Sequence, residues 1–235
     1  MAGNCRASPV PGRRGLRVSV AGLGGAAYTA PAVRTEHHRE TEVKLRIASL
    51  PALRRRLRAL GARPEGRVHE FNTLFDTPDR VLARRGELVR LRITTDSRRR
   101  RRALLTFKGP GGARGPYKVR EEFEQEVVDP ELFRSALAAL RLQPFFQYEK
   151  FRTTFRLPNL SDVLVEVDET PIGNFIELEG TPAAIDRAAE RLGYSRSEYL
   201  RESYLELYLE DCRQRRRAPS DMLFVRRPSR RRSRR

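Results

Sequence analysis

The middle of the chain alternates between charged and apolar positions. In Glu40–Ile47, the set Glu40, Glu42, Lys44 and Arg46 opposes Thr41, Val43, Leu45 and Ile47. A period of two puts each set on its own face of a β-strand. Similar patterns run through Glu70–Asp76, Glu87–Thr94, Ala103–Lys108, Tyr117–Val128, Gln147–Leu157, Asp162–Thr170 and Asn174–Gly180, which predicts about eight strands. Turns or short loops separate most of them, and this favours antiparallel pairing. Helical spacing predicts helices over Leu50–Leu60, Pro130–Leu140, Pro182–Leu192 and Glu198–Leu209. Asp129 before Pro130 and Thr181 before Pro182 supply a capping side chain and then a first-turn proline. Arg98–Arg102 and Gly109–Pro116 read as mobile loops.

The polar faces are almost entirely ionisable. One carries Arg90 and Arg92. A second carries Lys118, Arg120, Glu122, Glu124 and Glu126, and a third Lys150, Arg152 and Arg156. The last two carry Glu166 with Asp168, and Glu177 with Glu179. A solvated face usually mixes in Ser, Thr, Gln and Asn. The four amphipathic helices also need apolar faces to cover, which leaves the charged faces turned toward each other. The fold class that satisfies both demands is α+β: an eight-stranded antiparallel β-barrel with helices outside and charges inside. Unpaired buried charge is costly, so such an interior is wet or holds charged ligands and metals.

Charge refines this picture. The 235 residues include 48 Lys and Arg against 30 Asp and Glu, for a net charge of +18. Residues 1–35 contribute +5 and residues 212–235 contribute +10, leaving +3 for residues 36–211. The expected organisation is a disordered basic leader over 1–35, a tunnel domain over 36–211 and a disordered arginine-rich tail over 212–235. The tail is suited to loose, salt-sensitive contact with nucleic acid or an anionic surface. No apolar run is long enough for a membrane-spanning helix. Cys5 and Cys212 cannot build a disulfide framework or a four-ligand zinc site, so a reducing cytoplasm is the expected compartment. His37, His38 and His69 lack metal-ligand spacing, and Tyr199, Tyr204 and Tyr208 read as packing. Only four of the basic residues are lysines: Lys44, Lys108, Lys118 and Lys150. Against such a bias, the remaining lysines suggest sites that need a compact ammonium.

The motifs resemble those of the CYTH superfamily, the triphosphate tunnel metalloenzymes. Glu40-Thr41-Glu42-Val43-Lys44 fits its ExExK signature. Phe75–Pro78, Leu88–Arg92 and Leu105–Pro110 follow in order, the last resembling a T-x-K-G-P segment. Arg120, Glu122 and Glu124 form RxExE, and Lys150 and Arg152 form KxR. Val167-Asp168 and Ile172–Glu179 resemble the family's D…LGxFxExE ending. The resemblance covers residues 36–211 and looks nearest to bacterial class IV adenylate cyclase-like members.

The resemblance implies a lumen that holds a triphosphate between basic side chains, with divalent cations on carboxylates. The implied substrate-binding residues are Lys44, Arg90, Arg92, Lys108, Arg120, Lys150 and Arg152. The implied metal ligands are Glu40, Glu42, Asp168, Glu177 and Glu179, with Glu122 and Glu124 either ligands or partners of Arg120. Glu40, Glu42 and Lys44 are the implied catalytic group. Hard oxygen donors suit Mg²⁺ or Mn²⁺. The substrate is ATP, thiamine triphosphate or tripolyphosphate, and the alternatives are a cyclase, a triphosphatase and a non-catalytic binder. A homodimer is the implied assembly.

Overall fold

The computed structural model describes residues 35–225. Nearly all of the expected leader, and the last ten residues of the tail, lie outside the described residues. The strands are β1 (Thr35–Ile47), β2 (Arg63–Asp76), β3 (Leu88–Asp96), β4 (Arg101–Lys108), β5 (Gly112–Arg114), β6 (Tyr117–Val127), β7 (Gln143–Leu157), β8 (Leu160–Thr170) and β9 (Gly173–Gly180). Eight of them form an antiparallel ring in the order β1-β9-β8-β7-β2-β3-β4-β6, and β6 pairs with β1 to close it. Closure removes sheet edges and separates an inner from an outer face. Two expected loops are partly strand: β4 begins at Arg101, and β5 pairs with the first residues of β6.

The helices are α1 (Leu50–Ala59), α2 (Val81–Arg84), α3 (Pro130–Ala139), α4 (Pro182–Arg191) and α5 (Tyr204–Gln214). Ser49, Asp129 and Thr181 cap α1, α3 and α4 by accepting hydrogen bonds from first-turn backbone amides. Leu53 and Leu57 of α1 and Ile185 of α4 pack with Val43, Leu45, Val165 and Leu178 on the outside of the barrel. Leu137 of α3 packs with Phe75, Val89 and Leu91.

The last helix is placed differently. It buries Tyr204, Leu207, Tyr208 and Cys212 against Leu74, Phe146, Tyr148 and Phe175, which share the inward parity of the charged residues. Thus α5 packs into one end of the lumen, and its apolar side is an interior plug rather than an outer cover. It also starts later than the expected 198–209. Ser203 and Glu206 form a capping box that fixes its first turn. Just before it, Leu200 exchanges backbone hydrogen bonds of 2.8 and 3.1 Å with Lys44, on a stretch of β1 that β6 has left.

The expectation of an unfolded tail from residue 212 is corrected for 212–225. Cys212 is buried within α5, and Met222 is only 1% exposed. The Met222 backbone donates to Gln147 O at 2.9 Å and accepts from Glu149 N at 3.0 Å, along a length of β7 that β8 does not reach. Met222 opens the short apolar run Met222–Val225 and fills a gap left by the barrel. Replacing Met222 with alanine should cost about 2–4 kcal/mol, as for other buried large-to-small changes. Urea unfolding measures this, and a loss under about 1 kcal/mol would show that the segment is not part of the core. No helix among the described residues is long and apolar enough to cross a membrane.

Candidate active site

Inside the barrel lies a cavity of about 730 Å³. Every basic residue expected to bind substrate lines it: Lys44, Arg90, Arg92, Lys108, Arg120, Lys150 and Arg152. So do Lys118 and the carboxylates Glu40, Glu42, Glu122, Glu124, Glu177 and Glu179. Alternation on eight strands is enough to bring them together, because neighbouring strands pair in register. Glu42 stands opposite Glu179 and Lys44 opposite Glu177 across β1 and β9, and Lys108 stands opposite Glu122 across β4 and β6.

Asp168 does not line the cavity. It is fully buried behind the basic residues and accepts four hydrogen bonds. Lys150 Nζ donates at 2.8 Å, Arg152 Nε at 2.8 Å, Arg152 Nη2 at 2.7 Å and the Tyr204 hydroxyl at 2.6 Å. Three of these bonds fall on Oδ2 and one on Oδ1. In this geometry Asp168 holds Lys150 and Arg152. Tyr204 is more than packing. Besides bonding Asp168, its ring lies 4.7 Å from Lys44 Nζ and 4.9 Å from Lys150 Nζ. The plug helix therefore helps to place two lumen-facing ammonium groups.

The other charges are paired across the lumen. Lys44 Nζ lies 2.9 Å from Glu177 and Lys118 Nζ 3.1 Å from Glu42. Lys108 bridges Glu40 and Glu122, the latter at 2.8 Å. Arg90 reaches Glu122 and Glu124 at 3.7 Å each, and Thr106 ties Arg90 to Glu124. Arg152 also meets Glu166 and Glu177. Arg120 takes neither glutamate of its own strand. It donates to Gly109 O at 2.9 Å and to Gly86 O, fastening two loops at the cavity wall.

Sequence reasoning missed Glu70 as a site residue. It is 2% exposed, 3.4 Å from Arg92 and 3.5 Å from Lys150. Glu70 Oε2, Asn72 Nδ2 and Arg90 Nε are buried polar atoms with no hydrogen-bond partner. Such atoms call for water or a polar ligand. Of the histidines, His38 lies at the cavity, 3.7 Å from Glu179.

The electrostatics split the carboxyl groups. Burial pushes Glu42 up, but Lys118 and Lys44 override it and hold it at about 2. Burial is likewise overcome at Glu122, held at about 2 by Lys108 and Arg90, and at Glu177, held well below the usual range by Lys44 and Arg152. Burial wins elsewhere. With help from Glu42 it raises Glu40 to about 7, and with help from Glu40 and Glu166 it raises Glu179 to about 8. Glu166 is pushed up to about 7 by burial, despite Arg152. One side of the lumen therefore carries more carboxylates than its cations neutralise.

That excess fits a divalent cation. The donors are hard oxygens, and a positive ion among Glu40, Glu42 and Glu179 would relieve their mutual repulsion. Among the described residues, no three acidic, histidine or cysteine side chains already stand as a finished ligand set. Glu40 leans instead toward Lys108, Glu42 toward Lys118 and Glu177 toward Lys44.

A closed eight-stranded barrel with cations and carboxylates facing each other in its lumen is consistent with the CYTH tunnel fold. The chain belongs to the CYTH domain family, whose model matches residues 38–219. Members of this family are adenylate cyclase-like or triphosphatase enzymes, and they generally use divalent metals. Solved structures share the fold. The PH1819 protein of Pyrococcus horikoshii is 24% identical with a TM-score of 0.63, over 73% of this chain and 99% of that one. A proposed adenylate cyclase from Vibrio parahaemolyticus is 18% identical with a TM-score of 0.61, over 72% and 96%. The proposed adenylyl cyclase HpAC1 of Hippeastrum, described as having a dominant triphosphatase activity, is 19% identical with a TM-score of 0.56, over 73% and 96%. No curated protein matches significantly.

Proposed function

We propose that this chain is a Mg²⁺- or Mn²⁺-dependent enzyme that converts ATP to cyclic AMP and pyrophosphate. The observation that carries this reading is the two-part lining of the cavity. Lysines and arginines line its charged part, while Leu74, Leu88, Phe145 and Leu205 also border it. A triphosphate fits the first part, and a nucleoside gives the second something to hold. Arg90, Arg92 and Arg152 offer planar forks to phosphate oxygens, and Lys44, Lys108 and Lys150 offer point charges.

In the cyclase reaction, the ribose 3′-oxygen bonds to the α-phosphorus and the bond to the departing pyrophosphate breaks. The 3′-hydroxyl proton needs an acceptor. The carboxylate wall of the lumen offers acceptors for it. The lumen cations stabilise charge on the leaving pyrophosphate. Glu40, Glu42 and Glu179, with Glu177 beside them, would hold the divalent cations, and Glu122 and Glu124 remain with Lys108 and Arg90. The metal, when bound, supplies charge neutralisation of the triphosphate and Lewis-acid polarisation.

The second reading is a triphosphatase, favoured by the activity described for the Hippeastrum protein. It uses the same charged lumen with water as the nucleophile at the terminal phosphorus. One assay separates them. Purified full-length protein is incubated with ATP, thiamine triphosphate or tripolyphosphate, with Mg²⁺, Mn²⁺ or EDTA. The expected products from ATP are cyclic AMP and pyrophosphate, lost in EDTA. Orthophosphate would establish the triphosphatase. Tight binding of all three without turnover would leave only a binder.

A further inference from the structure

Three tyrosines share the apolar cluster around the plug helix: Tyr148, Tyr204 and Tyr208. The Tyr204 hydroxyl donates to Asp168 at 2.6 Å, and the Tyr208 hydroxyl meets Ser220 Oγ at 3.1 Å. Tyr148 is different. It is 6% exposed and lines the cavity, and its hydroxyl makes no hydrogen bond among the described residues. A buried tyrosine ordinarily finds a partner for that group.

Its position is a seam between the two parts of the cavity. Leu74 belongs to the same apolar cluster, and Leu88, Phe145 and Leu205 pack against it. The cations begin at once on the other side. Lys150 follows Tyr148 on the inward face of β7. Asn72 pairs with Tyr148 on one side and with Arg92 on the other, and Leu74 pairs with Arg90. Burial pushes the phenol up, but Arg90, Lys150 and Arg92 override it against Glu70 and hold it below the usual range. The residue is also held still. Its ring lies 5.9 Å from that of Phe146 and 6.0 Å from that of Tyr204. Met222 pins the backbone on both sides of it, at Gln147 O and Glu149 N.

We infer that the Tyr148 hydroxyl binds a ribose hydroxyl of the substrate, and so favours nucleoside triphosphates over bare polyphosphate. The inference rests on the ATP reading proposed above. Arg90, Arg92 and Lys150 serve phosphate, and the apolar wall serves a base. The group that lies between a base and its phosphates is the sugar. A neutral phenol that both donates and accepts matches a sugar hydroxyl, which does the same. Phosphate calls for charge, which the neighbouring cations already supply.

The test is isothermal titration calorimetry on the full-length protein in EDTA, so that binding is read without turnover. Wild type and Tyr148→Phe are each titrated with ATP, 2′-deoxy-ATP, 3′-deoxy-ATP and tripolyphosphate. One deoxy analogue should bind wild type about three- to tenfold more weakly than ATP, the usual worth of one hydrogen bond. Tyr148→Phe should lose the same factor for ATP, bind that analogue as well as ATP, and bind tripolyphosphate within about twofold of wild type. Its unfolding midpoint should stay within about 2 °C, because the hydroxyl has no protein partner to lose. A variant that still prefers ATP to that analogue, or that loses tripolyphosphate as much as ATP, would overturn the inference. So would wild type binding both analogues as tightly as ATP. Unchanged ATP affinity in the variant would overturn it too, leaving only a water on the hydroxyl. Wild type that does not bind ATP would remove the nucleotide reading itself, and the inference with it.

Discussion

Replacing Asp168 with alanine should abolish turnover and destabilise the fold by about 3–5 kcal/mol, the usual result of removing one partner from a buried charge cluster. Lys150 is 2% exposed and Arg152 is 8% exposed, and both donate to this carboxylate. Without it they keep only Glu70, Glu166 and Glu177, groups placed on the lumen side or at longer range. The Tyr204 hydroxyl loses its acceptor too. Misplacing two lumen cations by about 1 Å is enough to cost about a hundredfold in rate. D168N keeps the shape but not the charge, so it should fall between wild type and D168A. Urea unfolding of the metal-free protein, paired with kcat/KM, gives the answer. Were Asp168 a metal ligand instead, its removal would leave stability unchanged or raise it and would alter mainly the metal concentration needed. That pattern would sink the anchoring role. Tyr204→Phe offers a milder check, because it deletes one hydrogen bond and leaves the ring beside Lys44 and Lys150.

The barrel was legible in the sequence because its two faces differ so sharply. Charged residues two apart cannot all be exposed when the helices also need apolar faces, so the strands had to close. Every predicted basic site residue lines the cavity for that reason. Other features had no periodic signal. Glu70 opens a stretch whose next inward residues are Asn72 and Leu74, so its strand did not read as charged. Tyr204 lies among apolar helix residues, and only the fold shows its hydroxyl reaching Asp168. The helix start was recoverable from Ser203 and Glu206, the Ser-x-x-Glu spacing of a capping box. Met222 was not recoverable. Four apolar residues between arginine runs, Met222–Val225, are too short to show a period, and the burial of Met222 depends on where β8 stops pairing with β7. The depth of Asp168 was not legible either. Alternation gives the side on which a residue points, whereas the layer behind Lys150 and Arg152 emerges only when the strands are assembled.

Glu179→Gln should do two opposite things: stabilise the metal-free protein at alkaline pH and impair metal-supported turnover by about tenfold or more, as when a group supporting a metal is removed. Burial raises this carboxyl to about 8, with Glu40 and Glu166 adding to the shift. The sign follows from that direction. The unfolded chain ionises Glu179 near 4.5, whereas the folded protein resists ionising it until about 8. Folding therefore loses stability as pH rises through that window, and glutamine removes the loss. A third of the side chain remains in contact with water, so the gain is discounted to about 1 kcal/mol, or roughly 2–4 °C in Tm for a domain of this size. At pH 4 the variant and the wild type should unfold together, because both are then neutral at this position. Saturating Mg²⁺ should reverse the order at pH 8, since a cation stabilises the ionised carboxylates and glutamine offers it a weaker donor. Thermal unfolding at both pH values, with and without Mg²⁺, reads all four states. If Glu179→Gln destabilised the metal-free protein at pH 8, the carboxylate would be a structural partner in the lumen, and the excess of negative charge inferred for that wall would be wrong. Agreement on both signs would tie the cost of an unneutralised carboxylate wall in the empty tunnel to the metal requirement of the loaded one.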